Sequence, residues 1–261
     1  MKHNIFALVS LALTLGVVRG QKSPVTLKAC GTVIPPPAEM AAQEQNFQAL
    51  LKSNPPPERL ADVVIPVYYH IVYANQTLEG GYLSDQNARD TFNMLNTGFQ
   101  NSGFTFQLEE IRRYNNPTWF NEIGVSDPCL RRASVEGFAQ YPWNYANNPD
   151  SDGVTLRHTI FPGNGNPKRF GKTYIHEVGH WLGLYHTFEG HDCSGSGDFV
   201  SDTPAQAFQA DGCPIGLDSC PFHPGVDPIS NYMDYTEDLC RTEFTPGQIA
   251  RMSGQYNQYR A

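Results

Sequence analysis

Hydrophobic and polar positions along the chain separate strand-like from helix-like stretches. Val63-Val64-Ile65-Pro66-Val67-Tyr68-Tyr69-His70-Ile71-Val72-Tyr73 is dense in β-branched and aromatic residues and predicts a strand. Ser84-Asp85 then caps a helix running toward Gln100, whose apolar positions Ala88, Phe92, Leu95 and Phe99 recur near helical spacing. Phe104, Phe106 and Leu108 alternate in a second strand to Ile111, and Val154 to Phe161 reads as a further one. A helix is expected from about Lys168 to Leu184, ended by Gly183. The last helix starts at Thr245-Pro246, a cap followed by proline at the first helical position. Strands and helices in this order suit an α+β domain with helices backing a twisted sheet.

The N-terminal quarter has a different character. Lys2 and His3 precede an apolar run from Ile5 to Val18, with Gly20 after it, the pattern of a secretory signal peptide over residues 1–20. The run is short for a bilayer span, which sets it against the alternative of a membrane anchor. Residues 21–60 read as a poorly packed lead-in or pro-segment, with Pro35-Pro36-Pro37 and Pro55-Pro56-Pro57 bordering a helix-compatible stretch from Glu39 to Lys52. Residues 61–261 remain for one domain.

Charge and cysteines narrow the setting. With 18 Lys and Arg against 26 Asp and Glu, the net charge of −8 argues against nucleic acid or an anionic membrane as partner. Beyond the leader stand Cys30, Cys129, Cys193, Cys213, Cys220 and Cys240, an even number that suggests disulfides in an oxidising, extracellular compartment. Four of them lie in a Gly-, Pro- and Asp-rich last third that has little apolar periodicity to order it. Asn75-Gln76-Thr77 is an N-glycosylation sequon in a loop, with Asn75 as acceptor.

The chemistry sits in His176-Glu177-Val178-Gly179-His180-Trp181-Leu182-Gly183-Leu184-Tyr185-His186. Histidines at i and i+4 project from one helix face, so both imidazoles reach one ion. Gly183 permits the turn that returns His186 as a third ligand. Three nitrogens on Zn²⁺ leave a position open, as in catalytic rather than structural zinc sites. Glu177 then stands beside the ion as general base without binding it.

This HExxHxxGxxH run resembles the metzincin signature, and Asn231-Tyr232-Met233-Asp234-Tyr235 is similar to its Met-turn. The resemblance makes Met233 the apolar floor beneath the ligands. It makes Tyr235 the candidate to hydrogen-bond the zinc or the oxyanion. His186-Thr187-Phe188-Glu189-Gly190, Asp202-Thr203-Pro204, Gly212-Cys213-Pro214 and Phe244-Thr245-Pro246-Gly247-Gln248 narrow the likeness to the pappalysin family, most of all its secreted fungal metalloproteases. The family implies a zincin-like catalytic domain with disulfides Cys193–Cys220 and Cys213–Cys240. It also implies a calcium ion at Asp198 and Asp202, carboxylates that otherwise read as solvated turn formers. Cys30, in Lys28-Ala29-Cys30-Gly31-Thr32, is similar to the pro-segment cysteine that blocks zinc in family zymogens. The competing reading is a Cys30–Cys129 disulfide.

One departure from the family lies between Cys129 and Glu136, where relatives carry about one further strand. Its loss bears on Gly137 to Tyr141, read as the edge strand that pairs with an extended peptide or protein substrate. Two functions follow as expectations: a secreted zinc endopeptidase, or a zinc-binding but inactive homologue that holds proteins in its cleft.

Overall fold

The computed structural model describes residues 30–53, 63–122, 135–163 and 166–261. The leader at 1–20, Cys129 and nearly all of the departure before Glu136 lie outside these residues. Strands β1 (Val63–Tyr73) and β2 (Phe104–Asn115) pair in parallel, Val63 opposite Phe104. A parallel pair needs a crossover, and α2 (Asp85–Gly98) supplies it. Odd-numbered residues of β1 turn inward throughout, with Ile65, Ile71 and Tyr73 buried. On β2 the register slips opposite Val67 and Tyr68, leaving Glu109 as an extra residue. The inward set therefore changes from Phe104, Phe106 and Leu108 to Ile111 and Arg113.

Helix α2 begins where Ser84 Oγ accepts the Asn87 amide at 3.1 Å, and it buries Ala88, Phe92 and Leu95 as its spacing predicts, with Thr91 beside them. It lies close against α4 (Lys172–Trp181): a Cβ on Gly98 would stand 2.5 Å from Ile175 Cδ1. The main core joins Phe92, Leu95 and Phe99 to Phe104 and Phe106 of β2, to Ile175, Val178 and Leu182 around α4, and to Met233 and Met252. So α4 runs through the centre of the molecule. Its start is four residues later than the pattern predicts, because Gly171, at φ 122°, interrupts the helical backbone before Lys172.

Strand β4 (Val154–Leu156) is shorter than expected. After Leu156 the chain turns tightly over His158–Ile160, and Ile160 and Phe161 pack from that turn against Ile71, Leu83 and Ala88. Buried apolar residues in a turn mimic a strand in the sequence. β3 (Gly137–Ala139) pairs antiparallel with β4, Gly137 opposite Leu156. A short helix, α3 (Pro117–Glu122), follows β2, and α5 (Pro246–Tyr259) closes the chain. Thr245 and Gln248 form a reciprocal capping box at the start of α5.

The lead-in is better packed than its composition suggests. Helix α1 (Pro37–Ser53) lies on α5, with Phe47 buried against Gly254 and the Glu44 carboxylate 2.7 Å from Arg251 Nη1. Met40 packs with Tyr141 and Tyr185, and Cys30 and Thr32 are also buried. Among the described residues no helix is long and apolar enough to cross a membrane.

Candidate active site

His176, Glu177 and His180 lie in α4, which is buried on all sides from Thr173 to His180 and ends at Trp181. Gly183 then adopts φ 94°, and a Cβ there would meet Gln255 Cγ at 2.6 Å. Only glycine fits both the backbone and the space. The turn brings His186 back, so that His180 Nε2 lies 3.1 Å from His176 Nε2 and 3.2 Å from His186 Nε2. Nitrogens about 2.1 Å from one tetrahedral zinc would be separated by roughly 3.4 Å, so the spacing fits the metal.

The far side of each ring fixes its tautomer. His176 Nδ1 donates to Tyr232 O and His180 Nδ1 to Leu184 O, both at 2.7 Å. His186 Nδ1 lies 3.1 Å from Glu189 Oε2. Each Nε2 lone pair is thereby left pointing to the common centre, with an outer partner that raises its basicity. Burial, then the neighbouring imidazoles, push the His176 and His180 pKa values well down, so both rings stay neutral, as metal ligands must be.

Below the histidines lies Met233, fully buried. A Cβ added at Gly179 would stand 2.5 Å from its sulfur, so this glycine is what lets α4 settle onto the Met-turn. The turn is held by Asn231, which exchanges amide hydrogen bonds of 2.7 and 3.1 Å with Gln248 of α5 and accepts the Met233 amide at 2.9 Å. The Tyr235 ring packs 5.0 Å from that of His186 and 5.7 Å from that of His176.

The N-terminal segment closes the site from above. Cys30 Sγ joins the three imidazole nitrogens in a buried group whose ligand atoms lie within 4.8 Å of one another. The cysteine is not in a disulfide. Burial first, then the Glu177 carboxylate, raise its thiol pKa, so a thiolate here needs a cation beside it. Glu177 Oε2 accepts Thr32 Oγ1 at 2.9 Å and lies 3.5 Å from Cys30 Sγ, while Oε1 is buried without a hydrogen-bond partner. Desolvation pushes the Glu177 pKa up to about 8. Gly31 N donates to Gly137 O at 2.7 Å and Ala139 N to Thr32 Oγ1 at 2.9 Å, so the segment occupies the free edge of β3.

The other expected residues are placed as follows. Cys193–Cys220 and Cys213–Cys240 are both bonded. Asp198 is buried, accepts the Val200 amide at 3.0 Å, and has its pKa pushed up to about 7 by desolvation. Asp202 instead accepts Thr245 Oγ1 and the Gly247 amide at the start of α5, at 2.7 and 2.8 Å. One acid serves a turn and the other a helix end, which lends calcium no support. Asn75 is exposed, its Oδ1 bonded to Thr77 N and Oγ1. Thr32 and Glu189 were not anticipated. Glu189 had a signal, since an acid three residues past a ligand can turn back to it, whereas Thr32 had none.

Known proteins resemble the chain at every level. The peptidase M43 family model, described as pregnancy-associated plasma protein-A, matches residues 114–257. Extracellular metalloprotease 1 of Coccidioides posadasii is 38% identical over 272 residues, covering 96% of this chain and 97% of the relative. A promirolysin mutant of Tannerella forsythia superposes with a TM-score of 0.71 at 25% identity, covering 89% of this chain and 95% of that one. Mature mirolysin from the same organism, in complex with a cleaved peptide, gives 0.61 at 26% identity over 77% of this chain and 97% of its own.

Proposed function

Because the chain belongs to the pappalysin (M43) family of metalloproteases, we propose that it is a secreted zinc endopeptidase, held latent by its own N-terminal segment, with Glu177 as general base. The observation that carries this reading is the convergence of three Nε2 atoms beside a buried carboxylate that does not itself join them. Secretion is supported by the leader-like run at residues 5–18 and by relatives named extracellular metalloproteases.

Zinc held by His176, His180 and His186 would supply Lewis acidity toward the scissile carbonyl and an acidified water. The protein's own groups do the rest. The edge of β3 takes an extended peptide as an added strand and fixes its carbonyl over the site. Glu177 removes the proton from the attacking water and delivers one to the departing amine nitrogen. The carboxyl that takes up that proton is the same group that gives it to the departing nitrogen, so one side chain acts as base and then as acid. The Tyr235 hydroxyl donates to the oxyanion of the tetrahedral intermediate. The hydrogen bonds from the Nδ1 atoms keep the ligand rings from turning as charge moves.

The same geometry supports latency. Cys30 takes the fourth position around the histidine centre, Thr32 engages Glu177, and residues 31–32 lie on β3 where substrate would pair. Promirolysin superposes on more of this chain than mature mirolysin does, 89% against 77%, which accords with an N-terminal part that functions before maturation. Gelatin hydrolysis by activated enzyme, before and after chelation and on adding zinc back, tests the proposal. Loss and recovery are expected, and hydrolysis that persists through chelation sinks it.

A further inference from the structure

Arg169 lies just before α4, in a stretch that no motif singles out, yet its guanidinium touches two walls of the cleft at once. Nε donates to both oxygens of Glu136, at 3.0 and 2.8 Å. Nη1 donates to Thr236 O at 3.1 Å and Nη2 to Tyr235 O at 3.3 Å. Glu136 immediately precedes β3, and its main-chain carbonyl takes the Arg157 amide at 2.9 Å, just beyond the last pairing of β3 with β4. Its Oε2 also accepts Thr173 Oγ1 of α4 at 3.1 Å. Asp238 stands 3.9 Å from Nη1, receives the Phe170 and Lys172 amides at 2.8 and 2.9 Å, and pairs with buried Arg241. The edge strand, the start of the metal-binding helix and the tyrosine loop thus meet at one partly buried fork.

We propose that Arg169, with Glu136 as its partner, is a positioning residue that sets Tyr235 against the substrate strand. The inference rests on the reading of Tyr235 as the oxyanion donor. Holding the Tyr235 and Thr236 carbonyls fixes the peptide from which the tyrosine ring projects. Holding Glu136 fixes the residue that leads into the strand on which the scissile carbonyl is laid. The separation between phenol and carbonyl is therefore set through one rigid, planar group. Lysine has the charge without the fork, and cannot reach both carboxylate oxygens and both carbonyls together. A misplacement of about 1 Å at such a site costs on the order of 10²-fold in rate.

The test uses the activated enzyme with an internally quenched peptide, reading kcat and KM separately, and zinc content as a control. Arg169→Lys should lower kcat by roughly 10²-fold with zinc unchanged. Glu136→Gln/Arg169→Met removes both charges, so thermal stability should return toward wild type while kcat stays low. A double variant that regains kcat with its stability would mean that Arg169 merely neutralises Glu136, and the proposal would be wrong. Tyr235→Phe supplies the second arm. In that background Arg169→Lys should change kcat by less than about threefold, because the group it positions is gone. An undiminished effect there overturns the route through Tyr235. If Tyr235→Phe alone leaves kcat intact, the donor assignment fails, and the role given to Arg169 fails with it.

Discussion

Gly179→Ala sets two effects of known size against each other. On propensity alone, alanine in the middle of α4 is better than glycine by about 1 kcal/mol. The structure opposes this, because the new Cβ would stand 2.5 Å from Met233 Sδ, where ordinary contact begins near 3.4 Å. The sulfur would have to move by roughly 1 Å in a fully buried position, and overpacking of that kind costs about 1–3 kcal/mol. The net expectation is a loss of about 1 kcal/mol, or about 2–4 °C in melting temperature for a domain of this size. The sign should reverse once the sulfur is gone. In a Met233→Ala background, itself destabilised by about 2–5 kcal/mol, Gly179→Ala should gain about 1 kcal/mol, since the obstacle has become a cavity. Thermal unfolding of the four proteins at one fixed zinc concentration reads the cycle. Stabilisation by Gly179→Ala in both backgrounds would refute the claim that α4 is seated directly on the Met-turn.

Other consequences are simpler to read. Cys30→Ser should raise the activity of the uncleaved chain at least about tenfold, since a serine hydroxyl is a far poorer zinc ligand than a thiolate; activity at the wild-type level would remove Cys30 from the latency device. Phe47→Ala should also make the uncleaved chain leak, because α1 loses its buried anchor on α5, a truncation worth about 3–5 kcal/mol in a core; a zymogen as silent as wild type would show that α1 adds nothing to the hold on the cleft. Glu189→Gln should weaken zinc binding by about 10–100-fold through the loss of its charge on His186, read by competition with a chromophoric chelator; unchanged affinity would count against that contact.

The histidine cluster was legible in the sequence because its members are local. Two histidines one helical turn apart and a glycine that breaks the helix fix most of the geometry within eleven residues. Helix α2 was legible for a similar reason, its cap and apolar spacing agreeing. What the sequence hid is non-local. Arg169, Glu136 and Asp238 are ordinary charged residues until the fold joins positions 33 and 69 residues away, and the pattern carries no trace of that meeting. The inward face of β2 changes parity at Glu109, so simple alternation fails beyond Leu108. The proline-bordered lead-in read as loosely packed because its few anchors, Cys30, Thr32, Met40 and Phe47, are too widely spaced to form a periodic stripe.

The central claim, that Glu177 is the base beside a zinc held by three histidines, is tested most directly by one paired measurement on activated Glu177→Ala: bound zinc and peptide turnover on the same sample. The account predicts one zinc per chain and turnover lowered by about 10²–10⁴-fold, because the metal site survives without its proton carrier. Turnover within tenfold of wild type with zinc bound would contradict it. Loss of the zinc itself would place Glu177 among the groups that hold the metal rather than beside them.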